Sequence, residues 1–284
     1  MTSAQPTPPR AVNGHVSVRS VGKIYDPGGA NVVALEKCSI EFAPGEFVAV
    51  VGPSGCGKST LLNIVAGFDT PTSGEVYLDG ALLASESVAP RPGPDRVVVF
   101  QQGALFPWKT VLDNVTYGLL KQRKVSRREA QEQGLQLLAR SGGLDKVANA
   151  YPNSLSSGMQ RRVEILRALI NDPDILLLDE PFRAMDTVSK SNMHRHLLDL
   201  FMSNPKTIMF ITHDLEEALF LADRVLVMTT RPGTISMDIA VDLPRPRTRE
   251  MKSSPEFIRL KSMAIAAVHE EARKAFERGE KEMA

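Results

Sequence analysis

Phe47-Val48-Ala49-Val50-Val51-Gly52-Pro53-Ser54-Gly55-Cys56-Gly57-Lys58-Ser59-Thr60 is the stretch from which the chain is best read. Its first five residues form a continuous apolar run, as expected of a parallel strand buried on both faces. Lys58 to Phe68 then follows with helical spacing. Between strand and helix, Gly52 to Ser59 fits the phosphate-loop pattern, with an additional glycine at position 55. Glycines let successive amides point at phosphate oxygens, and the helix N-terminus adds a positive field. In that pattern Lys58 reaches the β and γ phosphates and Ser59 can hold Mg²⁺. An ordinary glycine turn requires neither the lysine nor the flanking strand and helix, so the stretch predicts nucleotide binding.

Downstream, Asp174 to Asp179, Lys206 to His213 and Arg224 to Met228 read as further strands. Met193, Leu197, Leu200 and Phe201 make a helical stripe between the first two, and Leu215 to Ala222 reads as a helix before the third. Strands alternating with helices predict a mostly parallel α/β core. The strand ending at Asp179 also carries Glu180, two carboxylates at the end of an apolar run. Charge there needs a reason. In phosphoryl transfer the first would bind Mg²⁺ and the second would orient or deprotonate the attacking water. The alternative is a capping pair opening a helix after Pro181.

Between Gln102 and Asn171 the pattern becomes helical, with capping signals at Thr110 to Asp113 and at Ser126 to Glu129. Gly142-Gly143 stops the second of these helices, and a helix from about Ser156 to Ile170 is closed by Asn171-Asp172-Pro173. This region, about 102–171, is expected to be a helical subdomain inserted in the α/β core. Val16 to Tyr25 and Val32 to Phe42 carry β-like runs around the turn signal Asp26-Pro27-Gly28-Gly29, predicting an antiparallel edge layer. The expected division is a mobile tail over 1–14, a catalytic domain over 15–244 and a helical extension over 245–284. In the extension, Phe257, Leu260, Ala264, Val268, Ala272 and Phe276 share one helix face.

A chain of 284 residues with 43% hydrophobic and 24% charged residues can bury a sizeable core. Its formal charge of +1 gives no general attraction to nucleic acid or anionic membrane. The segment Met1 to Gly14 lacks the apolar stretch of a signal peptide. No apolar run approaches the roughly 20 residues that span a bilayer, so a membrane role would come through a partner. A disulfide at Cys56 would block the loop from wrapping phosphate, so a reducing cytosol is expected.

Leu155-Ser156-Ser157-Gly158-Met159-Gln160, followed by Arg161-Arg162 and Arg167-Ala168-Leu169, lies shortly before Ile175 to Glu180. Together with the phosphate loop these segments resemble the ATP-binding cassette family over about Val16 to Met228. The fold this implies is a P-loop NTPase cassette. The resemblance also implies that Tyr25 stacks on adenine, that Gln101 contacts Mg²⁺ and the attacking water, and that His213 contacts the γ-phosphate. Tyr25 could instead be an ordinary sheet aromatic, and because Gln102 is adjacent, the glutamine assignment could slip by one. Glu180, His213 and Gln101 would be catalytic, Ser59, Gln101 and Asp179 would hold Mg²⁺, and Gly52 to Thr60 would cradle ATP. Ser156, Ser157 and Gly158 open a helix whose amides and dipole make a second anion site, which in the family faces the γ-phosphate bound by the other protomer. Asp186, in the loop of the family's dimer contact, would also be among the residues that bind ATP.

Two positions depart from the pattern: Ser157 stands where the family usually has glycine, and Arg183 replaces a small residue in the dimer-contact loop. Lys58 and Ser156 are 98 positions apart (156 minus 58). That leaves no room for the long coiled coil of chromosome-maintenance cassettes, and there is one cassette rather than two. The chain therefore looks like a transporter subunit. Leu105-Phe106-Pro107-Trp108 and Val111 to Val115 look like the importer segment beside the groove for a permease's coupling helix. Trp108 could equally pack within the subdomain. Phe106-Pro107-Trp108, Thr212 to Ala218 and Val227 to Gly233 resemble the nitrate, sulfonate and taurine branch of bacterial importers. That branch implies a second copy as partner, a permease dimer, a periplasmic solute-binding protein, and a location on the cytoplasmic face of the inner membrane. A cassette ATPase serving nucleic acid or a protein machine, and an assembly module with little hydrolysis, are the alternatives.

Overall fold

The computed structural model describes residues 13–123, 125–183 and 185–277. Most of the expected tail, the last residues of the expected C-terminal extension and Ala184 of the expected dimer-contact loop lie outside the described residues. In chain order the elements are β1 (Val16–Tyr25), β2 (Val32–Phe42), β3 (Phe47–Val51), α1 (Lys58–Ala66), β4 (Ser73–Leu78), β5 (Ala81–Ser85) and β6 (Arg96–Val99). Then come α2 (Val111–Gln122), α3 (Arg127–Arg140), α4 (Ser157–Leu169), β7 (Ile175–Asp179), α5 (Thr187–Ser203) and β8 (Thr207–Ile211). The chain continues through α6 (Leu215–Leu221), β9 (Arg224–Met228), β10 (Ile235–Ala240) and α7 (Pro255–Glu277).

The larger sheet has the order β10-β9-β3-β8-β7-β6. Its pairs are parallel from β9 to β6, with β10 antiparallel at one edge. Every residue of β3 is buried, and the pleat divides them. Val48 and Val50 join α1 and the inner face of the small sheet, whereas Phe47, Ala49 and Val51 join a core built with α4, α5, α6 and α7. This two-sided burial explains why the run shows no alternation. The small sheet, β2-β1-β4-β5, is antiparallel throughout and covers α1.

The helical region has its own core of Val111, Val115, Leu138, Leu144, Val163 and neighbours. Thr110 caps α2 by accepting from the Asp113 N–H at 3.1 Å, and the full reciprocal box forms at Ser126 and Glu129. α3 stops at Arg140, just ahead of Gly142-Gly143. α4 belongs to two cores at once, because Val163 and Leu166 face α2 and α3 while Ile165 and Ala168 face the large sheet. It thereby mechanically joins the two regions.

Four strands were not foreseen, β4, β5, β6 and β10. β4, β5 and β10 are short, and β10 is exposed at four of its six positions or only half-covered at a fifth. β5, β6 and β10 are edge strands and β4 lies between β1 and β5; short strands of this kind are made by pairing with a neighbour, a signal absent from local pattern. The apolar stripe of α7 needs a correction too. Phe257, Leu260 and Ala264 are buried and Val268 is partly covered, but Ala272 is exposed and Phe276 is 84% exposed. Among the described residues no helix is long and apolar enough to cross a membrane.

Candidate nucleotide site

The C-terminal ends of parallel strands are where α/β sheets collect ligands, because the loops there start helices whose amides point outward. β3 is followed by the glycine loop, β7 by Glu180, β8 by Thr212 and His213, and β6 by Phe100 and Gln101. The sheet order brings these four ends side by side.

Gly57 is the N-cap of α1 at φ +97°, and a Cβ there would lie 2.8 Å from the Ala34 carbonyl. Glycine is required both by the left-handed backbone and by the close approach. Lys58 is buried, and its ammonium donates to the carbonyls of Gly52 at 2.8 Å and Pro53 at 2.9 Å. Its charge is therefore held inside the loop. Cys56 is buried beside it and, like Cys38, is a free thiol. Burial pushes the Cys38 thiol up to about 12 and raises Cys56 against the opposing pull of Lys58, so neither is a reactive thiolate near neutrality.

Ser59 Oγ donates to Asp179 Oδ2 at 3.0 Å. Burial raises the Asp179 carboxyl above its ordinary range, the Ser59 bond opposes this, and the charge of Glu180 adds to it. A hydroxyl and a partly buried carboxylate facing each other suit Mg²⁺, a hard cation that takes one or two protein oxygens and completes its shell with phosphate and water. Glu180 sits at φ +42°, an uncommon backbone for a non-glycine residue and of a kind that clusters at functional sites. Its carboxylate accepts from Gln101 Nε2 at 3.1 Å and lies 3.1 Å from Arg183 Nη1 and 3.5 Å from His213 Nδ1. Gln101, rather than its neighbour Gln102, is thus the glutamine that reaches the carboxylate. The capping alternative for Asp179 and Glu180 fails, since residues 181–183 form a turn and the next helix, α5, is capped by Asp186.

Tyr25 closes β1, and its hydroxyl donates to Asp69 at 2.8 Å and lies 3.5 Å from Thr60 Oγ1. Lys23 Nζ, paired with Asp69, lies 4.9 Å from the ring centroid. The ring, 39% exposed, therefore stands beside the first turn of α1.

Ser156 caps α4, its Oγ accepting from the Met159 N–H at 3.3 Å, with Ser157 exposed next to it. A Cβ on Gly158 would come 3.4 Å from Met185 Cε, so this helix start packs against the loop that precedes α5. Asp186 accepts from the N–H groups of Val188 and Ser189, both at 3.0 Å. Among the described residues no hydrogen bond or ion pair links Ser156, Ser157, Gly158 or Asp186 to the Lys58 loop. One copy of the chain thus assembles Lys58, Ser59, Gln101, Asp179, Glu180 and His213 but leaves Ser156 to Gly158 apart.

Sequence reasoning passed over Arg161, Glu164 and Arg167 as functional groups. Arg161 and Glu164 form a buried ion pair at 2.6 Å, and both, with Arg167, hold the backbone between Phe100 and Ala104. Their i, i+3 spacing on one helix was the available signal. Beyond them, a groove of about 370 Å³ is lined by Phe100, Ala104, Phe106, Tyr117, Glu164 and Arg167. Trp108 stands at its margin, 71% exposed, its ring 5.6 Å from that of Phe106.

A family model described as ABC transporter matches residues 35–183. The taurine import ATP-binding protein of Rhizobium johnstonii is 45% identical over 246 residues, 85% of this chain and 91% of that relative. The nitrate import ATP-binding protein of a Synechocystis species is 42% identical over 251 residues, 86% of this chain and 91% of the relative. Among solved structures, a dimeric ATP-binding cassette in a post-hydrolysis state bound to ADP and Pi superposes with a TM-score of 0.70 at 32% identity, covering 81% of this chain and 100% of that one.

Proposed function

The chain belongs to the ABC transporter family and is an ATP-hydrolysing enzyme, and from that premise we propose that it is the cassette subunit of a bacterial importer for small anions of the nitrate, sulfonate or taurine kind. Two copies bind two ATP molecules, each between the Gly52 to Thr60 loop of one copy and the Ser156 to Gly158 helix start of the other. The observation that carries this reading is the meeting of Ser59 with Asp179, and of Gln101 and His213 with Glu180, at adjoining strand ends. Residues 15–244 are the ATPase domain, with 102–171 as its helical part, and 245–284 an extension.

Tyr25 offers its ring to the base, beside Thr60. Lys58 and the loop amides hold the phosphates. Ser59, Asp179 and Gln101 are the groups that would hold Mg²⁺, which when bound neutralises charge developing on the phosphate oxygens. Glu180 takes the proton of the attacking water, Gln101 orients that water, and His213 contacts the γ-phosphate. Asp186 shapes the loop that meets the other copy. Closure would be passed to a permease through Gln101 to Asn114, placing the subunit on the cytoplasmic face of the inner membrane, with a periplasmic solute-binding protein acting through the permease. The named relatives support this import role, as does the exposed Trp108 beside the groove.

Glu180→Gln keeps the shape of the side chain and removes the base. ATP binding is expected to persist while turnover falls about 10²- to 10⁴-fold, the usual contribution of a positioned base. Equilibrium nucleotide binding and phosphate release measure the two, and wild-type turnover in the variant would reject Glu180 as base. The Arg183 contact favours a second reading, a nucleotide-controlled assembly module with little hydrolysis. Sustained ATP turnover by the permease-bound protein, abolished by Lys58→Ala, would eliminate it.

A further inference from the structure

Glu164 and Arg161 are only 5% and 8% exposed, although both side chains are ionisable. Arg161 Nη1 is 2.6 Å from Glu164 Oε2 and donates to the Phe100 carbonyl at 2.7 Å, while Nη2 donates to the Gln101 carbonyl at 2.8 Å. The second Glu164 oxygen accepts from the Ala104 N–H at 2.8 Å, and Arg167 donates to the Ala104 carbonyl at 2.8 Å. The loop carrying Gln101 is therefore fastened at three residues to one helix. Downstream it is fastened again, since buried Asn114 accepts from Phe106 N–H at 2.8 Å and donates to the carbonyls of Phe106, Lys109 and Thr110.

A buried ion pair is poor evidence of stabilisation, because desolvation offsets its Coulomb attraction and apolar residues of similar volume often serve as well. Its distinctive property is geometry, as a planar guanidinium forked between two consecutive carbonyls admits little sliding. Arg161 is five residues from Ser156 on the same helix, about 7.5 Å along a rigid rod. Any shift of the Gln101 loop is thus carried directly to Ser156, Ser157 and Gly158.

We propose that Arg161 and Glu164 are positioning residues that couple the two nucleotide sites: they lock the Gln101 loop of one site to helix α4, whose start serves the site of the other copy. This rests on the two-copy reading above. ATP arriving at Lys58 and Gln101 sets the loop, the loop sets α4, and α4 presents its N-terminus to the partner's phosphate in the same movement. Hydrolysis is then cooperative in ATP, and the cooperativity depends on the clamp rather than on the phosphate loop.

The test uses the full-length subunit assembled with its permease, comparing the double variant Arg161→Met/Glu164→Leu and the single variant Arg161→Lys with wild type. The double variant fills the space without leaving an unpaired charge, and lysine keeps the charge but cannot fork between two carbonyls. Melting temperature, ATP affinity of the isolated subunit, and the ATP dependence of hydrolysis are measured. Expected are an ATP affinity and melting temperature near wild type, a Hill coefficient falling towards 1, and turnover at least about tenfold lower in the double variant, a loss typical of small misplacements. Lysine should give intermediate values. A folded double variant with wild-type Hill coefficient and turnover overturns the proposal. Should it fail to fold, an unchanged Hill coefficient in Arg161→Lys overturns it equally, and a lowered one supports it. Non-cooperative wild-type hydrolysis also overturns the coupling, while absence of ATP hydrolysis in the wild-type assembly would remove the importer reading on which it stands.

Discussion

Glu180 stands among three partners of different character: the Gln101 amide, the Arg183 guanidinium and the His213 imidazole. Arg183 is a departure from the family pattern, and in one copy it lies where it can occupy the carboxylate that would receive a proton. Asp179, next to it, has a carboxyl raised chiefly by burial. A group whose folded value exceeds its unfolded value favours folding while protonated, and that contribution is lost as pH rises through the folded value. Ionising Asp179 in the nucleotide-free protein is therefore costlier than in the unfolded chain. Asp179→Asn should raise the melting temperature of the nucleotide-free protein at pH 7, by an amount that shrinks as pH falls toward the carboxylate range, and should abolish Mg²⁺-dependent hydrolysis. Thermal melts at several pH values check the sign, and a lower melting temperature at pH 7 would refute the account. The motif residues were legible individually because each uses a local property, such as glycine backbone or a strand-ending carboxylate. Arg161 and Glu164 were not, since an i, i+3 ion pair on a helix is ordinarily solvated and only the Gln101 loop lying over it makes it buried.

At the level of elements, α7 shows how far a stripe carries. Its apolar positions continue to Phe276, but its packing on α6, β9 and β10 buries Phe257, Leu260 and Ala264 and covers Val268 only partly, and Ala272 and Phe276 are left exposed. Lys252 and Lys261 each reach Glu216 at 2.9 Å and fix the entry of the helix onto α6. Phe257→Ala should cost about 3–5 kcal/mol of stability, the usual cost of truncating a buried aromatic. Phe276→Ala should stay within about 0.5 kcal/mol, as at other exposed positions. Denaturant melts of the two variants compare them directly, and equal losses would mean the distal stripe is packed in solution. Helices and buried parallel strands were legible because their periodicity or continuity is intrinsic, whereas β4, β5, β6 and β10 exist through pairing.

In the whole molecule, the Lys58 loop and the Ser156 helix start belong to different parts of one copy, and on the proposed reading a complete site needs two. On the same reading the exposed Trp108 faces a partner. Trp108→Ala should leave the melting temperature and ATP binding unchanged while lowering permease co-purification about tenfold or more, as for an aromatic anchor at an interface. Solute uptake in reconstituted vesicles is the decisive readout, and wild-type uptake would exclude the role. What the amino-acid sequence determined alone is the contiguous chemistry: Gly52 to Thr60, Asp179-Glu180, Ser156 to Gly158, and the α/β class, all written within single turns or strands. Only the tertiary structure decided which glutamine meets Glu180, that Ser59 faces Asp179, and that α4 is clamped to the Gln101 loop. Those relations join segments about 60 to 120 positions apart, and only the order of strands in the sheet and the burial of charge between layers bring them within bonding distance.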